Sequence, residues 1–211
     1  MPDFRILTCL AEVHPEQWNA LHDGSNPFIG HSFLHGLEST GCLRPEWGWT
    51  PCHPTLWEGD TLLAAAPGYL KGNSHGEFVF DQAWAEAYSR YGRRYYPKWL
   101  IGVPYTPVSG PRLLALQAAH RAELLNAMTG FADERGLSSI HINFADQAEA
   151  AALSPDWLAR ATVQFHWHNR DWQDFDGFLQ ALQSKKRKNI RQERAKTAAA
   201  AKKKTATVAV E

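Results

Sequence analysis

The cations of this 211-residue chain are concentrated in one segment. Ten of its 22 Lys and Arg lie between Lys185 and Lys204, where Glu193 is the only acid, whereas residues 1–184 carry 12 basic and 20 acidic side chains. Such a run cannot enter an apolar core, because buried charges lose their hydration. We therefore predict a folded domain in residues 1–183, a basic helix in residues 184–196 and a low-complexity, disordered tail in residues 197–211.

The remaining composition is typical of a globular protein that resides in a reducing compartment. Hydrophobic residues make up 44% of the chain, which is enough for one large or two small domains. The longest nearly apolar run, residues 62–70, is far shorter than the ~20 residues that cross a bilayer. The first twenty residues lack the pattern of a signal peptide, and three cysteines without CxxC spacing argue against disulfides or a zinc site. We expect a cytoplasmic protein without a membrane span.

Hydrophobic periodicity predicts an α/β fold with a mixed sheet flanked by helices. Early hairpins and later strand–helix–strand units favour this arrangement. The predicted strands are residues 4–10, 49–57, 61–71, 97–103, 138–144 and 161–169. The predicted helices are a segment opened by Pro15 and residues 31–40, 81–92, 120–135, 148–153 and 175–183, followed by the basic helix.

Two segments have residues suited to binding. On the basic helix, Arg187, Arg191 and Arg194 recur at three- and four-residue spacing, which suits bidentate contacts to phosphate or carboxylate, although most charge runs are simply solvated faces. Residues 80–98 interleave Trp and Tyr with Asp, Arg and Lys. This mixture is typical of grooves for polar substrates, and equally of a core helix with an amphipathic rim.

Other chemistry is not indicated. His31 with His35 and His166 with His168 could each present two rings on one face, but neither pair has HExxH order, so structural histidines are the favoured interpretation and no metal site is predicted. The sequence contains no GxSxG, P-loop or GxGxxG motif. Its cysteines are interpreted as core thiols.

Five motifs resemble those of a known family. In order they are NPFIGHSFLHGLESTG, APGYLKGNSHGEFVFDQAWAEAY, YYPKWLIGVPYTPVSGPRLL, VQFHWHNR and SKKRKNIRQER. Together they resemble bacterial GNAT-like, FemAB-related acyltransferases of peptidoglycan biosynthesis, and the resemblance runs from residue 26 to residue 194. It implies a GNAT-like (acyl-CoA N-acyltransferase-like) fold and transfer of an acyl group to an amine of a cell-wall-precursor-like acceptor. The implied donors are acetyl-CoA or aminoacyl-tRNA, with no bound cofactor.

The resemblance also implies site residues. Asp81 is the expected general base, with His166 as second choice. Expected acceptor contacts are Tyr96, Lys98, Arg112 and Asn169. The basic helix would lie near the acceptor or a tRNA, through Lys186, Arg187, Lys188, Asn189 and Arg191.

Two departures from the family pattern leave other interpretations open. The glycine-rich loop that would hold the pyrophosphate of CoA is absent, and family members continue into a second domain where this chain has its Ala- and Lys-rich tail. One interpretation is an inactive truncated half, whose missing second GNAT-like domain would leave an apolar seam exposed, with a homodimer as one outcome. The alternative is a non-catalytic module that binds RNA or another polyanion through the basic helix.

Overall fold

The computed structural model describes residues 2–153 and 156–207, with side chains to residue 200. The chain divides into two compact units, Met1–Ala159 and Arg160–Glu211, here called the N-terminal and C-terminal units. The sequence had placed residues 160–183 in the main domain, and that boundary stays a prediction. In the described residues, no helix combines the length and apolarity needed to cross a membrane.

The N-terminal unit alternates short strands and helices. Its strands are β1 (Asp3–Leu7), β2 (Trp49–Pro51), β3 (His53–Glu58), β4 (Thr61–Ala65), β5 (Gly68–Lys71), β6 (Lys98–Ile101) and β7 (Ile140–Ile142). Its helices are α1 (Pro15–Asn19), α2 (His31–Ser39), α3 (Gln82–Arg90), α4 (Ala118–Glu134) and α5 (Gln147–Ala152). The predicted α/β architecture, with mixed strand directions and flanking helices, is confirmed.

Within residues 2–153 the strands form two sheets. The first is antiparallel in the order β1-β3-β4, and Gly59, at φ +58°, closes the predicted β3–β4 hairpin in the left-handed conformation that glycine adopts readily. A buried cluster that includes Trp18, Leu34 and Trp57 joins this sheet to α1 and α2. The second sheet has the order β2-β5-β6-β7, in which only the β6–β7 pair is parallel.

The two faces of the second sheet differ because side chains alternate along each strand. On β6, Trp99 and Ile101 belong to the same buried cluster as Leu124 and Met128 of α4. The neighbouring positions, Lys98 and Leu100, therefore point to the opposite face. That face carries the charged cluster described below.

The C-terminal unit corrects one sequence prediction. Residues 161–169 form no strand in the described chain, although their apolar residues alternate. Phe165 is fully exposed and Val163 is 88% exposed, and no strand of the described chain pairs with this segment. Alternation predicts a strand only where a sheet edge supplies hydrogen bonds.

Two helices form the rest of the C-terminal unit. They are α6 (Phe175–Gln180) and α7 (Ser184–Thr207). The basic helix was predicted to end at residue 196, but α7 continues through most of the predicted disordered tail, since Ala and Lys both favour helix. Residues 208–211 of that tail lie outside the described residues.

Candidate active site

Two buried lysines lie side by side on the polar face of the second sheet. Lys71 ends β5, Lys98 begins β6, and the two are direct cross-strand partners in the antiparallel register. Both side chains are fully buried. Like charges directly opposite each other destabilise a sheet, so the pair requires counterions.

The counterions come from the segment that follows β5. The Nζ of Lys98 lies 2.9 Å from Glu77 Oε2 and 2.6 Å from Asp81 Oδ2, and it also donates a hydrogen bond to Ser74 Oγ at 3.0 Å. Glu77 and Asp81 are themselves buried. An ammonium group has three donors, so these three contacts use the full capacity of Lys98.

Aromatic hydroxyls surround this ion cluster. The Tyr95 hydroxyl donates to Asp81 Oδ2 at 2.8 Å, and the Tyr96 hydroxyl lies 2.8 Å from Ser74 Oγ. The ring centroid of His141, on β7, lies 5.9 Å from that of Tyr95. Tyr96 and His141 are half-buried, so they form the edge of the cluster.

Lys71 has a different environment from Lys98. Its Nζ lies 3.5 Å from the centroid of the Trp49 ring, a cation–π contact, and donates to the His75 carbonyl at 3.1 Å. Burial lowers the pKa of Lys71 to about 8, although the negative charge of Glu77 opposes the change. The side chain therefore holds its proton less firmly than an ordinary lysine.

The two carboxyl groups have pKa values displaced in opposite directions. Burial raises the pKa of Glu77, and the nearby Lys98 offsets this only in part. Burial also acts to raise the pKa of Asp81, but hydrogen bonds from Lys98, Ser74 and Tyr95 outweigh it and hold that pKa below its ordinary value. Asp81 is thus held as an anion, whereas Glu77 is the carboxyl group that takes up a proton more readily.

One oxygen of each carboxyl group has no donor. Glu77 Oε1 and Asp81 Oδ1 are buried, and neither accepts a hydrogen bond from any described residue. A buried acceptor without a donor is costly, so these two oxygens are unsatisfied positions of the cluster. The site therefore combines buried cations with two carboxyl oxygens that no described residue satisfies.

The structure brings together three of the predicted site residues. Asp81, Tyr96 and Lys98 share the cluster just described. Arg112 is buried elsewhere: its guanidinium donates to the carbonyls of Asn143, Pro111 and Val108, and burial lowers its pKa to about 10. These contacts fix the loop around residues 108–112, which gives Arg112 a structural role, and its contact with an acceptor stays a prediction.

The other predicted residues belong to the C-terminal unit. His166 and Asn169 are exposed, as are Lys186, Lys188 and Asn189 on α7. Arg191 lies 3.4 Å from Asp176, and Arg187 donates to the Leu182 carbonyl, so part of the arginine row contacts the α6 region. Their roles in binding or catalysis stay predictions.

Sequence reasoning missed several members of the cluster. Lys71, Ser74, Glu77 and His141 were not selected, although the first three lie inside a quoted motif. The available signal was a lysine at the end of an apolar strand, because a buried lysine needs a partner. Among the described residues, His, Cys, Asp and Glu form no group of three or more that could hold a metal ion.

Comparison with known proteins agrees with the motifs. A model of the FemAB-like family, described as peptidoglycan biosynthesis/recognition, matches residues 9–209. The chain therefore belongs to the FemAB-like family, and the resemblance seen in the sequence is confirmed. Among solved structures it is similar to a ribosomal-protein-alanine N-acetyltransferase from Brucella melitensis biovar Abortus 2308, with 13% identity, a TM-score of 0.42 and coverage of 78% of this chain and 100% of that one. No curated protein matches the sequence.

Proposed function

We propose that the protein is an N-acyltransferase and that the buried cluster binds the amine that accepts the acyl group. Membership of a family described by peptidoglycan biosynthesis or recognition supports the reaction class. The observation that carries the proposal is the pair of donorless carboxyl oxygens, Glu77 Oε1 and Asp81 Oδ1. An amine or ammonium supplies N–H donors, so it is the natural complement to two such acceptors.

We assign the two acids different roles in the reaction because their pKa values are shifted in opposite directions. Asp81, held ionised by Lys98 and Tyr95, orients the acceptor amine. Glu77 accepts the proton that the amine loses as its nitrogen attacks the acyl carbonyl carbon. The new N–C bond forms, and the bond from the carbonyl to its oxygen or sulfur carrier breaks. The carrier leaves with the electron pair of that bond and takes the proton from Glu77, which returns Glu77 to its starting state. The positive charges of Lys98 and Lys71 offset the negative charge that develops on the carbonyl oxygen.

Family membership also supports the proposed substrates. The acceptor would be an amine of a cell-wall precursor, and the donor either acetyl-CoA or an aminoacyl-tRNA. Both donors are cytoplasmic molecules, so we expect the reaction to occur in the cytoplasm. His166 and Asn169 remain further proposed contacts on the C-terminal unit.

The test is acyl transfer by the intact chain and a matched pair of variants. Purified protein is incubated with acetyl-CoA, or with a pool of charged tRNAs, and a UDP-linked muramyl peptide, and the acylated product is measured by mass spectrometry. Glu77→Gln keeps the shape of the side chain but cannot accept the proton, so the rate should fall by about 100-fold or more. Glu86→Gln, which alters an exposed acid on α3, is the control. Equal rates in the two variants would reject Glu77 as the base, and no product with either donor would reject the transferase assignment.

The surface of α7 supports a second candidate function, polyanion binding. A groove of about 370 Å³ is lined by Ser184, Arg187, Lys188, Arg191, Gln192 and Ala195. Replacing the exposed Lys186 and Lys188 by Gln should weaken binding to tRNA and make the dependence of log K on log salt shallower by about 1.5, since two phosphate contacts are lost. An unchanged salt slope in this variant would reject the candidate. The control is Arg5→Gln with Arg44→Gln, which removes the same charge from the N-terminal unit.

A further inference from the structure

The residue before Glu77 is held by a loop that lies outside the charged cluster. Gly76 accepts a hydrogen bond, through its carbonyl oxygen, from the backbone N–H of Tyr105 at 3.2 Å. Tyr105 belongs to the loop that follows β6, and its ring centroid lies 5.4 Å from that of Trp49. Since Gly76 and Glu77 are adjacent, this loop restrains the backbone from which the Glu77 side chain extends.

The ring of Tyr105 also lies directly against Gly76. A Cβ added to Gly76 would lie 2.5 Å from Tyr105 Cε1 and 3.4 Å from Trp49 Cζ2, and the first distance is shorter than real side chains allow. Gly76 has a φ of +76°, in the left-handed region that glycine adopts readily. The backbone conformation and the close approach of the ring therefore both require glycine at position 76.

Tyr105 is itself held in a defined place. Its hydroxyl donates to the Cys42 carbonyl at 3.1 Å, and its φ of +57° is uncommon for a residue with a side chain. Tyr105 is nevertheless 39% exposed. A partly exposed ring contributes less to the core than a buried one, so its placement is better explained by the contact with Gly76.

The groups that face the Glu77 carboxyl come from several elements. Glu77 Oε2 lies 2.9 Å from Lys98 Nζ on β6 and accepts a hydrogen bond at 3.4 Å from Asn143 Nδ2, directly after β7. The charges of Lys71, on β5, and of Asp81 also act on this carboxyl group. A shift of the preceding backbone would disturb all of these interactions at once.

We propose that Tyr105 is a positioning residue for the transfer reaction: through Gly76 it holds the Glu77 carboxyl beside Lys98, where the acceptor amine loses its proton. This role rests on the proposed function, in which Glu77 is the base. A displacement of about 1 Å in a reacting group can lower a rate by about 100-fold. A residue that does not touch the substrate can therefore still control the reaction.

Turnover of three variants tests the role of the ring. Tyr105→Ala removes the ring from Gly76 and should lower kcat by about tenfold or more, with a smaller change in KM because Asp81 still orients the amine. Tyr105→Phe keeps the ring and should recover most of that rate. Tyr91→Ala, at an 84% exposed tyrosine of the same unit, is the control and should match the wild type. Circular dichroism and urea titration compare the folding of the variants.

The pH dependence separates positioning from a loss of stability alone. Burial raises the pKa of Glu77, so a carboxyl group released toward water should titrate at lower pH. In Tyr105→Ala the acid limb of the kcat profile should therefore move to lower pH. The carbon-13 NMR signal of the Glu77 carboxyl should show the same shift. This titration needs no acyl donor, and the signal is assigned by its absence in Glu77→Gln.

A double-mutant cycle tests the contact between the two residues. Gly76→Ala should displace the ring and lower kcat as Tyr105→Ala does. Its effect should be smaller in the Tyr105→Ala background, because the ring that the new Cβ would meet is gone. Additive effects of the two substitutions would contradict the contact.

The positioning role would be overturned by an unmoved NMR titration in Tyr105→Ala, by a rate equal to that of an active wild type, or by a loss of stability without a shift in the pH profile. Absence of product from the wild type with either donor would instead reject the proposed reaction. The NMR titration would then decide by itself whether Tyr105 holds Glu77.

Discussion

The chain holds lysines in two opposite environments. Lys71 and Lys98 are fully buried in the N-terminal unit and are held by an aromatic ring and two carboxylates. Lys186 and Lys188 are exposed on α7 among other cations. Water compensates the exposed charges at little cost, whereas the buried ones require specific partners in fixed positions. Isolated lysines in apolar strands therefore indicate a built site more strongly than a dense run of surface lysines.

The largest expected effect comes from removing a buried lysine. Lys98→Met leaves Glu77 and Asp81 buried without their cation, which should lower the free energy of unfolding by about 3–5 kcal/mol. Urea titration of the purified chain measures the change. Lys188→Met, the same substitution on α7, should have no measurable effect. Similar unfolding curves for the two variants would contradict the inferred difference between buried and exposed lysines.

A smaller effect is expected from pH, through His141. Burial, together with the positive charge of Lys98, lowers the pKa of His141 from 6.5 to about 4. Between pH 6.5 and about pH 4 the unfolded state binds more protons than the folded state, so stability falls as the pH drops. This group should contribute a loss of about 2–3 kcal/mol over that range. The loss is measured as the difference between the wild type and His141→Gln in urea titrations at each pH; parallel pH profiles would place His141 outside the buried cluster.

The smallest effect should come from an exposed ion pair of the C-terminal unit. Asp176 lies 3.4 Å from Arg191, and both side chains are more than half exposed. Asp176→Asn should change the free energy of unfolding by less than about 0.5 kcal/mol, because water screens the pair. Thermal or urea denaturation can resolve this. A loss comparable to that of Lys98→Met would mean that α7 is fixed by its charges as firmly as the buried cluster is.

Local pattern predicted most of the elements in the N-terminal unit. Leu124, Met128 and Phe131 follow helical spacing, and the predicted amphipathic helix is found as α4, where these residues share a cluster with Trp99 and Ile101. The same kind of reasoning failed for residues 161–169, whose alternation is typical of a strand. Periodicity records which residues share a face, but pairing depends on a neighbouring edge that is distant in sequence.

The candidate site was predicted in part. Motif resemblance selected Asp81, Tyr96 and Lys98, which the structure brings together. It also selected Arg112, which the structure surrounds with backbone carbonyls. It passed over Glu77, which lies in the same motif as Asp81, because residue type alone does not distinguish an ionised carboxylate from one whose pKa burial has raised.

By itself, the sequence determined the family, the α/β class, the basic character of α7 and the positions of most helices and strands. These properties depend on local order and composition, which the chain carries along its length. Only the tertiary structure decided that Lys71 faces Lys98 across two strands, that residues 74–81 supply their counterions, and that two buried carboxyl oxygens lack a donor among the described residues. Burial, hydrogen bonding and pKa arise from neighbours that are far apart in sequence, so no local pattern could fix them.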